Sequence, residues 1–261
     1  MKVLFFGDIY GKYGRRITIS KIEGIIAEFN IDIVIANGEN LAGGKGITDK
    51  TANSLFRAGV DCFTSGNHLW DKKSGLDFIR DEDRILKPAN YSKAAYGNIF
   101  YFVKRDQFEL AVINLAGQVF MNPANSPYEE LNRLLPKLKE RTNNIFVDLH
   151  AEATAEKRAF GFMFDGQVSA IVGTHTHIQT ADEEILQNGT AYISDVGMTG
   201  PHDSVIGVSK DIILDKIKSG MPIRYETTDK GLQINAVVIE IDEETGKAKT
   251  IQRIRRKYGN N

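Results

Sequence analysis

The sequence predicts a layered α/β protein whose sheets are mixed, and two observations support this fold class. Eight short apolar runs rich in β-branched or aromatic residues alternate in many places with amphipathic helical patterns. Near the end of the chain, residues 234–256 alternate with period two on both sides of a glycine turn, which is typical of an antiparallel hairpin. Together these patterns favour mixed sheets covered by helices over a purely parallel, doubly wound sheet.

The predicted strands are brief and apolar, as strands buried on both faces usually are. They are KVLFFGD (2–8), IDIVIANGE (31–39), VDCFTSGN (60–67), NIFYFVK (98–104), LAVINLAG (110–117), NIFVDLHAE (144–152), VSAIVGTH (168–175) and TAYISDVG (190–197). In open α/β sheets, functional sites lie beyond the carboxyl ends of the strands. The residues that end these runs are therefore the first candidates for a site.

Three segments carry helical periodicity. In residues 14–30 the apolar side chains recur at steps of three and four, which keeps them on one helical face; they are Ile19, Ile22, Ile26 and Phe29. The second helix is predicted over residues 126–141, where Pro136 is expected to kink or shorten it. The third is predicted over residues 209–220.

Composition predicts one globular domain spanning residues 1–261. The chain is 42% hydrophobic and 26% charged, which is typical of a soluble protein, and no linker or repeat divides it. The formal net charge of −1 gives no basic footprint for nucleic acid or an anionic membrane. We therefore expect no dedicated nucleic-acid surface and no membrane partner. A homo-oligomer is compatible with the sequence.

The only cysteine, Cys62, excludes an intrachain disulfide and is interpreted as a small buried hydrophobic residue. The N-terminal apolar stretch VLFF is shorter than a signal-peptide core, and no run approaches the roughly 20 apolar residues of a membrane span. These features predict a cytoplasmic protein.

Residues that can bind metal end five of the predicted strands. They are Asp8, Glu39, Asn40, Asn67, His68, His150, His175 and His177. Taken singly, each has an ordinary interpretation as a turn former, a helix cap or a structural histidine. Their coincidence at equivalent strand ends favours a metal centre, because carboxylate, amide and imidazole ligands suit Mn²⁺, iron or Zn²⁺ better than Ca²⁺.

The pair His175 and His177 raises a geometric question, since only five histidines are present in the chain. In an extended chain, residues i and i+2 project to the same side, about 6.5–7 Å apart at ~3.3 Å per residue. Two imidazoles so placed could reach two ions separated by about 3.5–4 Å, as in two-metal hydrolases. A single-ion clamp is the competing geometry. Either Glu39 or Asp8 could supply a bridging carboxylate.

Six motifs in order resemble the calcineurin-like metallophosphoesterases, and most closely the bacterial YmdB family. They are GDIYGKYGR, ANGEN, TSGNHLWD, LHAEATAEK, GTHTHIQTADE and DVGMTGPHDSVIG, and they cover most of the chain. The wider superfamily usually has a histidine where this chain has Tyr10, and an aspartate where it has Glu39. Both departures are themselves features of the YmdB-type subgroup.

This resemblance implies a four-layer αββα sandwich and two metal ions, iron or manganese, with zinc as a further candidate. One ion would be held by Asp8, Glu39, Asn40 and His177, and the other by Glu39, Asn67, His150 and His175. Glu39 would bridge the two, while His68 would stay free of metal as the proton donor. The implied activity is hydrolysis of 2′,3′-cyclic nucleotides to 3′-nucleotides by attack of a metal-activated hydroxide.

Two other functions compete with this interpretation. A phosphomonoesterase or nucleotidase would use the same ions, and a panel of monoesters and diesters separates it from a phosphodiesterase. A regulatory scaffold with a non-catalytic metal site would act through RNA or protein partners instead. A full ligand set beside a free His68 favours catalysis, because a purely structural site needs no open position. The loop around His202 either borders the substrate pocket or forms a surface turn.

Overall fold

The computed structural model describes residues 1–259, and its regular elements follow the predicted order. The strands are β1 (Lys2–Phe6), β2 (Ile33–Asn37), β3 (Cys62–Thr64), β4 (Phe100–Lys104), β5 (Glu109–Ala116), β6 (Ile145–His150), β7 (Ala170–Thr174), β8 (Glu184–Ile185), β9 (Ala191–Ile193), β10 (Gly200–Pro201), β11 (Ser204–Val205), β12 (Val208–Ser209), β13 (Leu232–Ile241) and β14 (Ala248–Tyr258). The helices are α1 (Gly11–Phe29), α2 (Asp49–Phe56), α3 (Leu76–Asp81), α4 (Pro127–Lys139), α5 (Thr154–Met163) and α6 (Lys210–Ser219), with a 3₁₀ turn at Lys73–Gly75.

The strands form two mixed sheets. Sheet one has the order β10-β13-β1-β2-β3, and β14 also pairs with β13. Strands β1, β2 and β3 are parallel to one another, and β13 is antiparallel to β1. Sheet two has the order β4-β5-β6-β7-β9-β8, in which β5, β6, β7 and β9 are parallel. Strands β11 and β12 form a separate small hairpin.

Alternation along the strands produces four layers, because successive side chains point to opposite faces of a sheet. In β1, Val3 and Phe5 pack toward sheet two, while Leu4 and Phe6 pack with α1 and α2. The contact between the sheets includes Phe5 and Phe146, whose ring centroids lie 5.3 Å apart.

Sheet two divides its side chains in the same way. Val112 and Phe146 face sheet one, whereas Ile113 and Val147 pack with α4 and α5. The order is therefore helices, sheet, sheet, helices, which confirms the predicted αββα sandwich with mixed sheets.

All eight predicted strands and the terminal hairpin are present, but helix α1 differs from its prediction in its buried face. Ile22 is buried as predicted, whereas Ile19 is 41% exposed and Ile17 and Ile25 are buried instead. At 100° per residue, Ile19 lies about 120° from the centre of the buried stripe. The predicted stripe was therefore rotated from the true one.

Helix α4 was predicted to be kinked or shortened at Pro136, and the shortening was wrong. The helix continues through Pro136 and ends at Lys139. Pro136 is exposed, so the backbone carbonyl that loses its hydrogen bond can be solvated by water. Helices α2, α3 and α5 and the two-residue strands were not predicted.

The carboxyl ends of β2 and β3 in sheet one meet β6 of sheet two at one edge of the sandwich. Asn37, at the end of β2, donates a hydrogen bond from Nδ2 to Asp148 Oδ2 in β6 at 3.0 Å. Thr64, at the end of β3, donates to the same oxygen at 2.5 Å. Residues that follow these strands are therefore brought together across the two sheets. Within residues 1–259, no helix is long and apolar enough to cross a membrane.

Candidate metal centre

The strand-end residues converge into two groups of donor atoms that share one carboxylate. The first group is Glu39, His150 and His175, and the second is Asp8, Glu39 and His177. Within each group the donor atoms lie within 4.8 Å of one another. Of the two carboxylates considered for the shared position, Glu39 is the one that belongs to both groups.

In the first group, His150 Nε2 lies at the centre. It is 3.4 Å from Glu39 Oε2, 3.0 Å from His175 Nδ1 and 3.1 Å from Asn67 Oδ1. Four strand ends, following β2, β3, β6 and β7, thus contribute donors to one small volume. His150 and Glu39 are almost completely buried.

In the second group, His177 Nε2 lies 3.9 Å from Asp8 Oδ1. The other ring nitrogen of His177, Nδ1, is 3.0 Å from the carbonyl oxygen of Ile206, in the turn between β11 and β12. A carbonyl oxygen only accepts hydrogen bonds, so Nδ1 carries the proton and Nε2 presents its lone pair toward Asp8.

Two buried oxygens in this region have no hydrogen-bond partner within residues 1–259. They are Asp8 Oδ1 and Asn40 Oδ1. The amide of Asn40 is oriented by its own Nδ2, which donates to Gly44 O at 2.9 Å. Burying an oxygen without a hydrogen-bond partner is energetically unfavourable. Two such oxygens in one place therefore indicate a site where both would coordinate a cation.

His175 and His177 do not occupy the extended chain that their spacing suggested. Their φ angles are +102° and +66°, in the left-handed region that β-strand residues avoid. The chain turns sharply after β7 and directs one imidazole into each donor group. The extended-strand geometry was therefore wrong, although both rings reach the site. Such conformations cost roughly 1–3 kcal/mol each and persist where the surroundings hold them.

Burial sets the electrostatics of the centre. It raises the pKa of Asp8 to about 7, with the charge of Asp195 adding to the effect. Burial, followed by the charge of Asp8, raises the pKa of Glu39 well above its usual range. For His150 and His175, burial lowers the pKa, to about 4 in the case of His175. Neutral imidazoles beside mutually repelling carboxyls form an environment that a cation would stabilise.

Sequence reasoning missed the residues that orient His150. Its Nδ1 lies 2.9 Å from Thr174 Oγ1, and that hydroxyl donates to Asp148 Oδ1 at 2.7 Å. Because the hydroxyl hydrogen is directed to Asp148, the hydroxyl accepts from His150 Nδ1, which leaves the Nε2 lone pair facing Glu39. The available signal was Asp148 itself, a carboxylate inside the apolar strand IFVDLH.

His68 lies beside the centre without belonging to either donor group. Its backbone N–H donates to Glu39 Oε2 at 3.0 Å, and its ring Nδ1 is 3.0 Å from Asp71 Oδ2. The side chain is 29% exposed. His202 is also outside both groups, since its Nε2 lies 2.9 Å from Met198 O, and its loop lines an open cavity of about 810 Å³.

Similarity to known proteins extends over nearly the whole chain. The chain is 44% identical over 254 residues to the 2′,3′-cyclic-nucleotide 2′-phosphodiesterase of Bacillus subtilis (strain 168), which covers 97% of this chain and 96% of that protein. A crystal structure of a hypothetical protein from Thermus thermophilus has a TM-score of 0.92 at 34% identity, covering 99% of this chain and 100% of that one. A crystal structure of a novel phosphatase from Mycoplasma pneumoniae also has a TM-score of 0.92, at 35% identity, covering 98% and 93%.

The model of one protein family, described as YmdB-like protein, matches residues 4–254. This match and the 44% identical relative confirm the resemblance that the sequence motifs indicated. The chain belongs to the YmdB-like family.

Proposed function

We propose that this protein is a two-metal phosphodiesterase that hydrolyses 2′,3′-cyclic nucleotides to 3′-nucleotides. The observation that carries the proposal is the pair of donor groups joined by Glu39, in a chain whose Bacillus relative is named for this reaction. One relative is named a phosphodiesterase and another is described as a phosphatase. As a member of the same family, this chain is a phosphoesterase. The substrate class and the mechanism are the proposed steps.

The residues present fit a pair of cations, since two buried oxygens without partners and several neutral imidazoles meet there. We assign one ion to Asp8, Glu39, Asn40 and His177, and the other to Glu39, Asn67, His150 and His175. Iron or manganese suits this oxygen and imidazole set, and zinc is the third candidate. When bound, the ions would lower the pKa of water and offset the negative charge of the phosphate.

His68 is proposed as the proton donor to the departing ribose 2′ oxygen, which is a poor leaving group without a proton. Asp71 holds the ring through Nδ1, so Nε2 is the nitrogen available to the substrate. The hydrogen bond from the His68 backbone to Glu39 fixes the residue against the centre. Positioned general acids contribute about 10²–10⁴-fold to rate.

We propose that residues 1–261 form a single catalytic domain. Strand β1, at residues 2–6, pairs with β13, at residues 232–241, so segments far apart in the sequence share sheet one. Donor residues come from both sheets, at Glu39 and His150 for example. A cytoplasmic location stays a prediction, and a homo-oligomer stays compatible with the sequence.

The test combines metal analysis with kinetics on His68→Ala. We expect both Mn²⁺ ions to bind as in the wild type, while kcat for a 2′,3′-cyclic nucleotide falls about 10²–10⁴-fold. Asp71→Asn is a milder variant for comparison, because it keeps a hydrogen-bonding oxygen beside the ring of His68. It should reduce kcat less than His68→Ala does. Loss of metal together with activity in His68→Ala would make His68 a ligand and reject the proton-donor role.

A substrate panel tests the reaction class. Cyclic nucleotides, linear diesters and monoesters are compared by kcat/KM on the wild type. The Mycoplasma structure described as a phosphatase motivates the monoester arm. Preference for monoesters over cyclic diesters would favour the phosphomonoesterase alternative, with the same donor residues.

A further inference from the structure

A buried ion pair outside the two donor groups joins helix α5 to the loop that follows β9. Lys157 Nζ lies 2.8 Å from Asp195 Oδ2, and both side chains are almost fully buried, at 2% and 1% exposed. Neither residue contributes an atom to the donor groups. Lys157 ends the motif LHAEATAEK and Asp195 begins DVGMTG, and the proposed function gives neither of these two residues a role.

The hydrogen bonds of this pair converge on the turn that carries His175 and His177. Lys157 Nζ donates to the carbonyl oxygen of Thr174 at 2.9 Å, and Asp195 Oδ2 accepts from the N–H of Thr176 at 3.1 Å. The peptide groups on both sides of His175 are therefore held by the two partners of one ion pair.

Asp195 also fixes the segment that packs beneath this turn. Its Oδ1 accepts from the N–H of Gly197 at 2.8 Å, and its backbone exchanges hydrogen bonds with Thr180. Gly197 permits close packing here, since an added Cβ would lie 2.6 Å from the backbone nitrogen of Gln179. Asp195 therefore contacts the chain both before and after His177, at Thr176 and at Thr180.

The turn needs such support because both histidines have positive φ, a conformation that non-glycine residues disfavour. If the turn relaxed to ordinary backbone angles, the two imidazoles would leave their separate donor groups. For stability alone, a buried ion pair is a weak choice, because apolar residues of similar volume often serve as well or better. Its polar contacts to this one turn suggest a geometric role.

We propose that Lys157 and Asp195 are positioning residues that hold the His175–His177 turn in its strained form and so direct one imidazole to each metal ion. The inference rests on the proposed metal centre and adds two residues to it. Both oxygens of Asp195 are used, because Oδ2 accepts from the N–H of Thr176 and Oδ1 from that of Gly197, and an asparagine has only one such acceptor. The ammonium of Lys157 is the donor to the Thr174 carbonyl.

The experiment uses three variants of the full chain: Asp195→Asn, Lys157→Met and the double variant. Mn²⁺ affinity is measured by calorimetry and stability by thermal unfolding. Each single variant leaves one buried charge unpaired, so both stability and Mn²⁺ affinity should fall, the affinity about 10–100-fold. In the double variant no charge is unpaired, so the melting temperature should recover while the affinity stays at least about tenfold reduced.

Leu138→Ala in α4 is the control for lost stability. Leu138 is fully buried in the apolar layer outside sheet two and belongs to neither donor group. We expect a lower melting temperature with wild-type Mn²⁺ affinity. If Leu138→Ala loses as much affinity as the single variants, or if the double variant regains affinity together with stability, the pair is merely structural and the proposal fails.

Imidazole nitrogen chemical shifts of His175 and His177 in metal-free protein give a second readout. They should move in Asp195→Asn and stay fixed in Leu138→Ala, because only the first variant releases the turn. Unchanged shifts in Asp195→Asn would overturn the positioning role. Absence of Mn²⁺ binding in the wild type would instead reject the proposed metal centre, and these shifts would still decide whether the pair holds the turn.

Discussion

Replacing Gly66 with alanine should displace the central donors of the metal site, because the added methyl group has no room beside them. A Cβ built on Gly66 would lie 2.2 Å from His150 Nε2 and 2.4 Å from Glu39 Oε2. Favourable contacts of carbon begin near about 3.5 Å, so these groups would have to move by roughly 1 Å. Gly66 is not in the left-handed region, so the effect comes from this contact and not from backbone strain.

The expected magnitude follows from that displacement. A misplacement of about 1 Å can reduce turnover about 10²-fold, which corresponds to roughly 2.7 kcal/mol in the activation free energy. Overpacking should also lower the free energy of unfolding by about 1–3 kcal/mol. Because His150 and Glu39 both move, Mn²⁺ affinity should fall as well. The assay combines calorimetric Mn²⁺ titration, urea unfolding and kcat for a 2′,3′-cyclic nucleotide.

Gly24→Ala in α1 is the matched control. A Cβ at Gly24 meets nothing within 4 Å, and the position is inside a helix. Alanine should therefore stabilise the protein by about 0.5–1 kcal/mol and leave Mn²⁺ binding and turnover unchanged. A Gly66→Ala protein that binds both ions and turns over substrate within a few fold of wild type would refute the crowded geometry assigned to the centre.

Two further predictions concern the shared carboxylate and a helix cap. Glu39→Gln should weaken both Mn²⁺ ions together, because its side chain belongs to both donor groups; loss of a single ion in the titration would contradict a shared role. Thr48→Ala should lower the free energy of unfolding by about 0.5–2 kcal/mol, since Thr48 and Thr51 form a capping box at the start of α2. Mn²⁺ affinity should not change in this variant, and Thr48→Ser should retain most of the stability. Equal urea midpoints for the wild type, Thr48→Ala and Thr48→Ser would rule out a stabilising cap.

Much of the fold could be predicted from local patterns. Most of the strands were visible because a strand buried on both faces is largely a run of apolar residues, as in residues 33–36 of β2. The half-buried β4 was visible from its aromatic and β-branched residues instead. Helix α2 was missed because its eight residues make only about two turns. Helix α5 is as long as the predicted α6, but it contains Gly161, and glycine is a poor helix former. The exposure of Ile19 escaped prediction because periodicity defines a stripe, while the neighbouring layer decides its centre.

The sequence by itself determined which residue types stand at the strand ends, since Asp8, Glu39 and His150 each close an apolar run. Only the tertiary structure decided how they meet. The left-handed turn at His175 and His177, like the proton position on His150, depends on contacts across 17 residues or more of chain. Such contacts leave no local pattern, because hydrogen bonds between distant segments form only after the two sheets have packed.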